Sequence, residues 1–169
     1  GNIIAQWALV YNAKKVFIID IEKYKLDIAK KCGLRDVINA KDVNVVDEIM
    51  SKTKGVGVDV SFEASGAEIC LFQTIEVTKK LGRIALVGRK EKDFNFKADI
   101  LGLILRKELS ISGCWGTTFL WGNCVKAVAS GKIKLLPLIT HRFKLEKVKE
   151  AFDLLINKKE PFNKVIFKM

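Results

Sequence analysis

The chain has 169 residues, 49% hydrophobic and 29% charged, enough for one globular domain with a real core. Its longest apolar run, Ile100–Leu105, is closed off by Asp99 and Arg106. It falls far short of the roughly 18–20 residues that cross a bilayer, so no membrane partner is expected. The net charge of +11 sits largely on lysine pairs such as Lys14–Lys15, Lys30–Lys31, Lys79–Lys80 and Lys158–Lys159. These are scattered and not interleaved with aromatics along one stripe, so they read as solvated surface and not as a nucleic-acid face.

In chain order, Asn2–Tyr11 carries Ile3, Ile4, Trp7 and Ala8 at helical spacing, and Asn12-Ala13 breaks the helix. Lys15–Asp20 (KVFIID) is a short apolar run ending in an acid, as a buried parallel strand reads. Glu22–Cys32 is expected to be helical with Gly33 as its stop, and Asp36–Ile38 to be a short strand. Asp42–Thr53 reads as a helix with Val43, Val46, Ile49 and Met50 inward. Gly57–Glu63 is a strand, and a turn at Ala64–Ala67 leads into a helix through about Lys80. Arg83–Val87 is the next strand, Ile100–Lys107 a helix, Leu109–Ser112 a strand and Gly113–Gly116 a turn. This alternation with short connections argues for a parallel sheet covered on both faces.

After Thr117 the texture changes. Trp121–Ser130 is expected to be helical, ended by Gly131, and Leu138–Phe143 extended. Leu145–Asn157 reads as an amphipathic helix with Val148, Ala151, Phe152 and Leu155 on one side, and Lys164–Lys168 as a terminal strand.

The four cysteines, Cys32, Cys70, Cys114 and Cys124, form no C-x-x-C pair, and the single histidine, His141, lies far from them in sequence. Zinc sites need closely spaced ligand pairs, so no metal site is expected within this chain. A disulfide framework is not expected either, which points to a reducing cytoplasm. His141 and Cys114 read as structural, since no partner for acid–base or nucleophilic work is recognisable beside either, and no catalytic residue is assigned.

Asp20 is the first candidate for chemistry. An acid at the tip of a buried strand can accept hydrogen bonds from both ribose hydroxyls of NAD and repel the extra phosphate of NADP. It can equally serve as an N-cap of the following helix. Gly1 sits just before a helix and about 20 residues ahead of Asp20, the spacing of the dinucleotide fingerprint, and would be the last glycine of that fingerprint. Lys25 lies on the outer start of the next helix, within reach of a ribose or phosphate, or simply solvated. Gly66, Gly88 and Gly113 recur after successive strands, where a flat ring can approach the backbone.

Together these segments resemble one family. GNIIAQWALVYNAKKVFIID, IDIEKYKLDIAKKCGLRDVIN, GVDVSFEASGA, LGRIALVG, ILRKELSISG and PLITHRFKLEKVKEAFDLL follow the order and spacing of zinc-type medium-chain alcohol or polyol dehydrogenases, the sorbitol and galactitol-1-phosphate types above all. The resemblance implies an α/β fold, a partial Rossmann doubly wound parallel sheet lacking its first strand, with a C-terminal α/β tail. It implies that Asp20 binds the adenosine ribose with Lys25 beside it. Ala64, Ser65 and Gly66 would border the cofactor on the adenine side. Val87, Gly88 and Arg89, with Gly113, Cys114 and Trp115, would line the nicotinamide side. Lys164 matches a basic residue that reaches the cofactor pyrophosphate, unless it is only a strand-edge lysine.

On this reading residues 1–116 are an NAD-binding domain, incomplete at its start. Residues 117–169 would return to a GroES-like catalytic domain that is absent here and that would hold the zinc. The expected activity of the parent protein is NAD-dependent, zinc-assisted oxidation of a secondary alcohol on a polyol or polyol phosphate. The expected form is a cytoplasmic homo-oligomer, and the chain alone is expected to be inactive. Two alternatives stand beside it: a zinc-free, NADPH-dependent quinone reductase of the same superfamily, against which Asp20 speaks, and a non-catalytic basic binding module.

Overall fold

The computed structural model describes residues 1–89, 98–116 and 119–168. They divide into two compact units, Asn2–Asn39 with Leu120–Met169, and Ala40–Phe119 with Gly1. The expected boundary at Thr117 lies outside the described residues.

In the first unit, helix α1 (Asn2–Val10) stops at Asn12, whose φ of 62° closes the end while Ala13 N–H donates to the Ala8 carbonyl at 2.9 Å. The buried face of α1 differs from the apolar stripe in the sequence. It centres on Ala5 and Gln6, and Ile3 is exposed. Gln6 is only 3% exposed, and both ends of its amide are paired: Nε2 donates to the Lys134 carbonyl at 3.2 Å and Oε1 accepts from Lys134 N–H at 2.6 Å.

Strand β1 (Phe17–Asp20) pairs in parallel with β2 (Asp36–Asn39), from Phe17↔Asp36 to Asp20↔Asn39. Helix α2 (Lys23–Lys31) connects them and buries Leu26, Ile28 and Ala29. It ends at Gly33, φ 95°, as its sequence leads one to expect. Ala5, Ile18, Ala29 and Leu34 form one core, and Ile28, Cys32 and Leu138 a second. Burial pushes the Cys32 thiol pKa up.

The same unit holds helix α6 (Trp121–Ala129), strand β6 (Ile139–Lys144), helix α7 (Val148–Asn157) and strand β7 (Lys164–Lys168), which pairs in parallel with β6. A separate 3-10 turn at Leu145–Lys147 replaces the expected first turn of α7. The helix buries Ala151 and Leu154, while Phe152 is 53% exposed, so its inner face is rotated from the expected one. Leu136 and Phe167 are exposed and Leu138 is buried.

In the second unit, helix α3 (Val45–Lys52) starts three residues later than its apolar pattern suggests. Asn44 caps it, Oδ1 accepting from Val46 N–H at 3.0 Å and Asp47 N–H at 3.3 Å. Val43 therefore falls outside the helix and is exposed, and Val45 is buried with Ile49. Strands β3 (Val58–Glu63), β4 (Thr78–Leu86) and β5 (Ser110–Gly113) form a parallel ladder in that order. Helices α4 (Glu68–Val77) and α5 (Ala98–Lys107) link them. The core gathers Leu71, Ile75 and Ile84, with Ile100, Leu103 and Ile104 of α5 packed against it.

Helix α4 ends at Val77, earlier than Lys80, for a local reason. Thr78 is fully buried, its hydroxyl bonding the Thr74 carbonyl and the Ser61 hydroxyl, each at 2.6 Å. The chain then bulges: the pairing shifts from Val58↔Thr78 to Val60↔Arg83, and Leu81 takes φ 59°. Lys107 closes the end of α4 by donating to the carbonyls of Ile75, Glu76 and Thr78. Burial holds its ammonium pKa below the usual lysine value.

β1 and β2 form a parallel ladder in the first unit, and β3, β4 and β5 form another in the second. The fold is α/β with parallel sheets, of Rossmann type.

Candidate functional site

Register places the expected loops of the second unit at one edge. Glu63 pairs with Leu86, and Leu86 pairs with Gly113. The three strands run parallel, so Ala64–Gly66, Val87–Arg89 and Cys114–Trp115 all leave the ladder at its carboxyl end. An open α/β sheet offers its ligand crevice at that end.

Glu63 organises this edge. It is 5% exposed, and its carboxylate oxygen Oε1 accepts from Ser65 N–H at 2.8 Å, the Ser65 hydroxyl at 2.6 Å and Gly66 N–H at 3.0 Å. Oε2 accepts from Gly66 N–H at 3.2 Å. The Glu63 carbonyl accepts from Val87 N–H at 2.8 Å and Gly88 N–H at 2.9 Å. A Cβ on Gly88 would lie 2.3 Å from the Gly66 nitrogen and 2.6 Å from Glu63 Oε2, so only glycine fits this approach. Gly66 itself takes φ 76°.

The Ser65 hydroxyl also accepts from Ala67 N–H at 3.1 Å. It is thus engaged in shaping its own loop. Cys114 N–H donates to the Leu86 carbonyl at 2.9 Å, which ties the third loop to the second. Cys114 is exposed, Trp115 is 84% exposed, and Val87 and Arg89 are exposed as well. A Cβ on Gly113 would meet nothing within 4 Å, and the same holds for Gly1.

In the first unit, Asp20 ends β1, half-buried. Its Oδ1 accepts from Glu22 N–H at 3.0 Å, and Oδ2 has no protein partner among the described residues. The N-cap position of α2 is Glu22, so Asp20 shapes the turn without capping the helix and keeps one oxygen for a ligand. Lys25 is half-buried, with Nζ 5.9 Å from the ring centre of Tyr24. The Tyr24 hydroxyl donates to the Phe162 carbonyl at 2.9 Å, which ties the first turn of α2 to the segment that leads into β7 at Lys164. The Lys164 carbonyl accepts from the Thr140 hydroxyl at 3.3 Å, and its side chain is exposed.

His141 is held on both sides, by the Thr140 hydroxyl at 2.9 Å and Glu160 Oε1 at 3.1 Å, and stacks on Phe143. A cavity of about 330 Å³ lined by Leu9, Lys14, Lys15, Val16, Gly33, Leu34, Arg35 and Asp36 opens at the amino ends of β1 and β2, away from Asp20. Among the described residues, no three His, Cys, Asp or Glu side chains group to hold a metal, and no helix is long and apolar enough to cross a membrane.

Sequence reasoning missed Glu63 as more than a strand residue. The signal was an acid at the last strand position, directly before Ala-Ser-Gly, where small residues let the loop fold back onto it.

Residues 1–130 match the zinc-binding dehydrogenase family. D-xylulose reductase of Saccharomyces cerevisiae is 34% identical over 161 residues, covering 90% of this chain and 44% of that protein. L-threonine 3-dehydrogenase of Pyrococcus horikoshii is 36% identical over 150 residues, covering 85% of this chain and 41% of that protein. The crystal structure of galactitol-1-phosphate dehydrogenase from Escherichia coli superposes with a TM-score of 0.82 at 27% identity, covering 95% of this chain and 48% of that one. The chain thus spans less than half the length of these relatives. It belongs to the zinc-binding dehydrogenase family of medium-chain alcohol and polyol dehydrogenases.

Proposed function

We propose that this chain is the cofactor-binding part of an NAD-dependent, zinc-assisted dehydrogenase that oxidises a secondary alcohol of a polyol or polyol phosphate. The observation that carries the reading is Asp20, an acid at the carboxyl end of β1 with one carboxylate oxygen unpaired among the described residues. A carboxylate there accepts from ribose hydroxyls and repels a 2′-phosphate, which favours NAD over NADP.

The other residues take the roles that the family resemblance implies. Gly88 packs its backbone against the Ser65–Gly66 loop, and the space beside Gly113 is open. Ala64, Ser65 and Gly66 border the adenine side. Val87, Gly88, Arg89, Gly113, Cys114 and Trp115 line the nicotinamide side. Lys25 and Lys164 supply positive charge to ribose or pyrophosphate. A nicotinamide held there would supply the hydride acceptor for the alcohol carbon.

The described residues do not fit a zinc ion, and its ligands would come from outside this chain. Residues 1–116 then form the cofactor domain and 117–169 the segment shared with a catalytic domain. The protein acts as a homo-oligomer in the cytoplasm, and this chain alone is inactive.

Asp20→Ala in the intact protein tests the reading. Loss of hydrogen bonds to a charged group, about 1.5–3 kcal/mol, weakens NAD binding by about tenfold or more. Unchanged NAD affinity would refute the ribose assignment.

A further inference from the structure

We propose that Glu63 is a positioning residue, a buried carboxylate clamp that sets the two loops bordering the cofactor. The inference rests on the NAD-binding reading above and adds a residue to it. Burying a carboxylate is costly unless its oxygens are hydrogen-bonded. Glu63 meets that requirement with no cation: no ion pair to it exists among the described residues, and its donors are the Ser65 and Gly66 amides and the Ser65 hydroxyl. Every one of those donors belongs to the loop after β3.

The same residue grips the loop after β4 through its carbonyl, which accepts from the Val87 and Gly88 amides. Gly88 in turn approaches so closely that an added Cβ would sit 2.6 Å from Glu63 Oε2. One residue therefore fixes Ser65–Gly66 by its side chain and Val87–Gly88 by its backbone. A turn needs only one such bond to form. The use of both carboxylate oxygens, with Ser65 relaying to Ala67 N–H, defines the position of the loop beyond what a turn requires.

A glutamine in this place keeps the volume and loses the charge. It offers one acceptor oxygen, and its NH2 group faces an amide N–H where Oε2 now accepts. The loop must then shift, and the dinucleotide meets a displaced surface.

The test is NADH fluorescence titration of the intact protein, wild type against Glu63→Gln, Ser65→Ala and Gln6→Ala, at a temperature where circular dichroism shows each to be folded. Glu63→Gln is expected to weaken NADH binding about tenfold, and Ser65→Ala about threefold, from lost charge-assisted hydrogen bonds. Gln6→Ala lowers stability through a contact in the other unit and is expected to leave the affinity unchanged. Wild-type affinity in both Glu63→Gln and Ser65→Ala would overturn the clamp. So would a loss in Gln6→Ala equal to that in Glu63→Gln, because general destabilisation would then explain both. If Glu63→Gln fails to fold, Ser65→Ala decides alone: a weakened affinity supports the clamp and an unchanged one overturns it. A wild-type protein that binds neither NADH nor NADPH would overturn the cofactor reading itself, and the clamp with it.

Discussion

The Gln6 side chain and the Lys134 backbone exchange two hydrogen bonds across 128 residues of sequence, Nε2 to the carbonyl at 3.2 Å and the amide to Oε1 at 2.6 Å. The pair joins the first helix to the segment before Leu136 and satisfies all four polar partners in a part-buried setting. It makes the tail an integral part of the unit that contains Asp20.

Gln6→Ala strands the Lys134 amide and leaves its carbonyl only the weak Cys32 thiol donor at 3.8 Å. Each unsatisfied group costs about 1–3 kcal/mol, so urea unfolding should show a loss of at least about 1 kcal/mol. Gln6→Glu, which cannot donate to the carbonyl, is expected to be destabilising as well. A urea midpoint unchanged in Gln6→Ala would mean that the pair contributes nothing.

Gly88→Ala is expected to be poorly tolerated. The added carbon would sit 2.3 Å from the Gly66 nitrogen, a backbone atom that cannot swing aside. Overpacking of this kind costs about 1–3 kcal/mol, and thermal melting should register it as a drop of several degrees, roughly 4–8 °C per kcal/mol for a small domain. Gly113→Ala, with nothing within 4 Å of the new carbon, should melt like the wild type in the same experiment.

Asp59 and Lys79 pair at 2.6 Å across the β3–β4 bulge, and the Lys79 ammonium holds the Asp59 carboxyl below its ordinary value of 3.8. The sign follows from the lowered folded value. The contribution is present above pH 3.8 and is lost as pH falls through the folded value. The pair is exposed, so its contribution is small and screened by salt. The stability difference between wild type and Asp59→Asn should shrink below about pH 4 and in high salt. A difference that persists in acid would point to a packing effect.

What the sequence made legible depended on the range of the interaction. The β1 strand and the acid that ends it are local features, an apolar run closed by Asp20, and Gly33 announces the end of α2 by its left-handed backbone. The β7 strand, Lys164–Lys168, was readable for the same reason. The start of α3 moved because the Asn44 cap outweighed the apolar periodicity that placed Val43 inside. The end of α4 moved because Thr78 bonds back to Thr74 and across to Ser61, and the second contact comes from a different strand. Gln6 looked like a surface residue because its partner, Lys134, is remote in sequence.

The candidate site divides along the same line. Glycines after strands were visible one at a time, and their alignment at one edge rested on the parallel register Glu63↔Leu86↔Gly113. The clamp at Glu63 was not visible, because a carboxylate at a strand end shows nothing of the backbone that will turn back to meet it.

The proposed role of Asp20 is to bind the adenosine ribose of NAD. Titration of the intact protein with NADH and with NADPH, each followed by nicotinamide fluorescence, tests it most directly. On the ribose assignment, NADH binds and NADPH binds about tenfold more weakly or worse, because Asp20 opposes the 2′-phosphate. Equal or tighter binding of NADPH, or no binding of either, would contradict it.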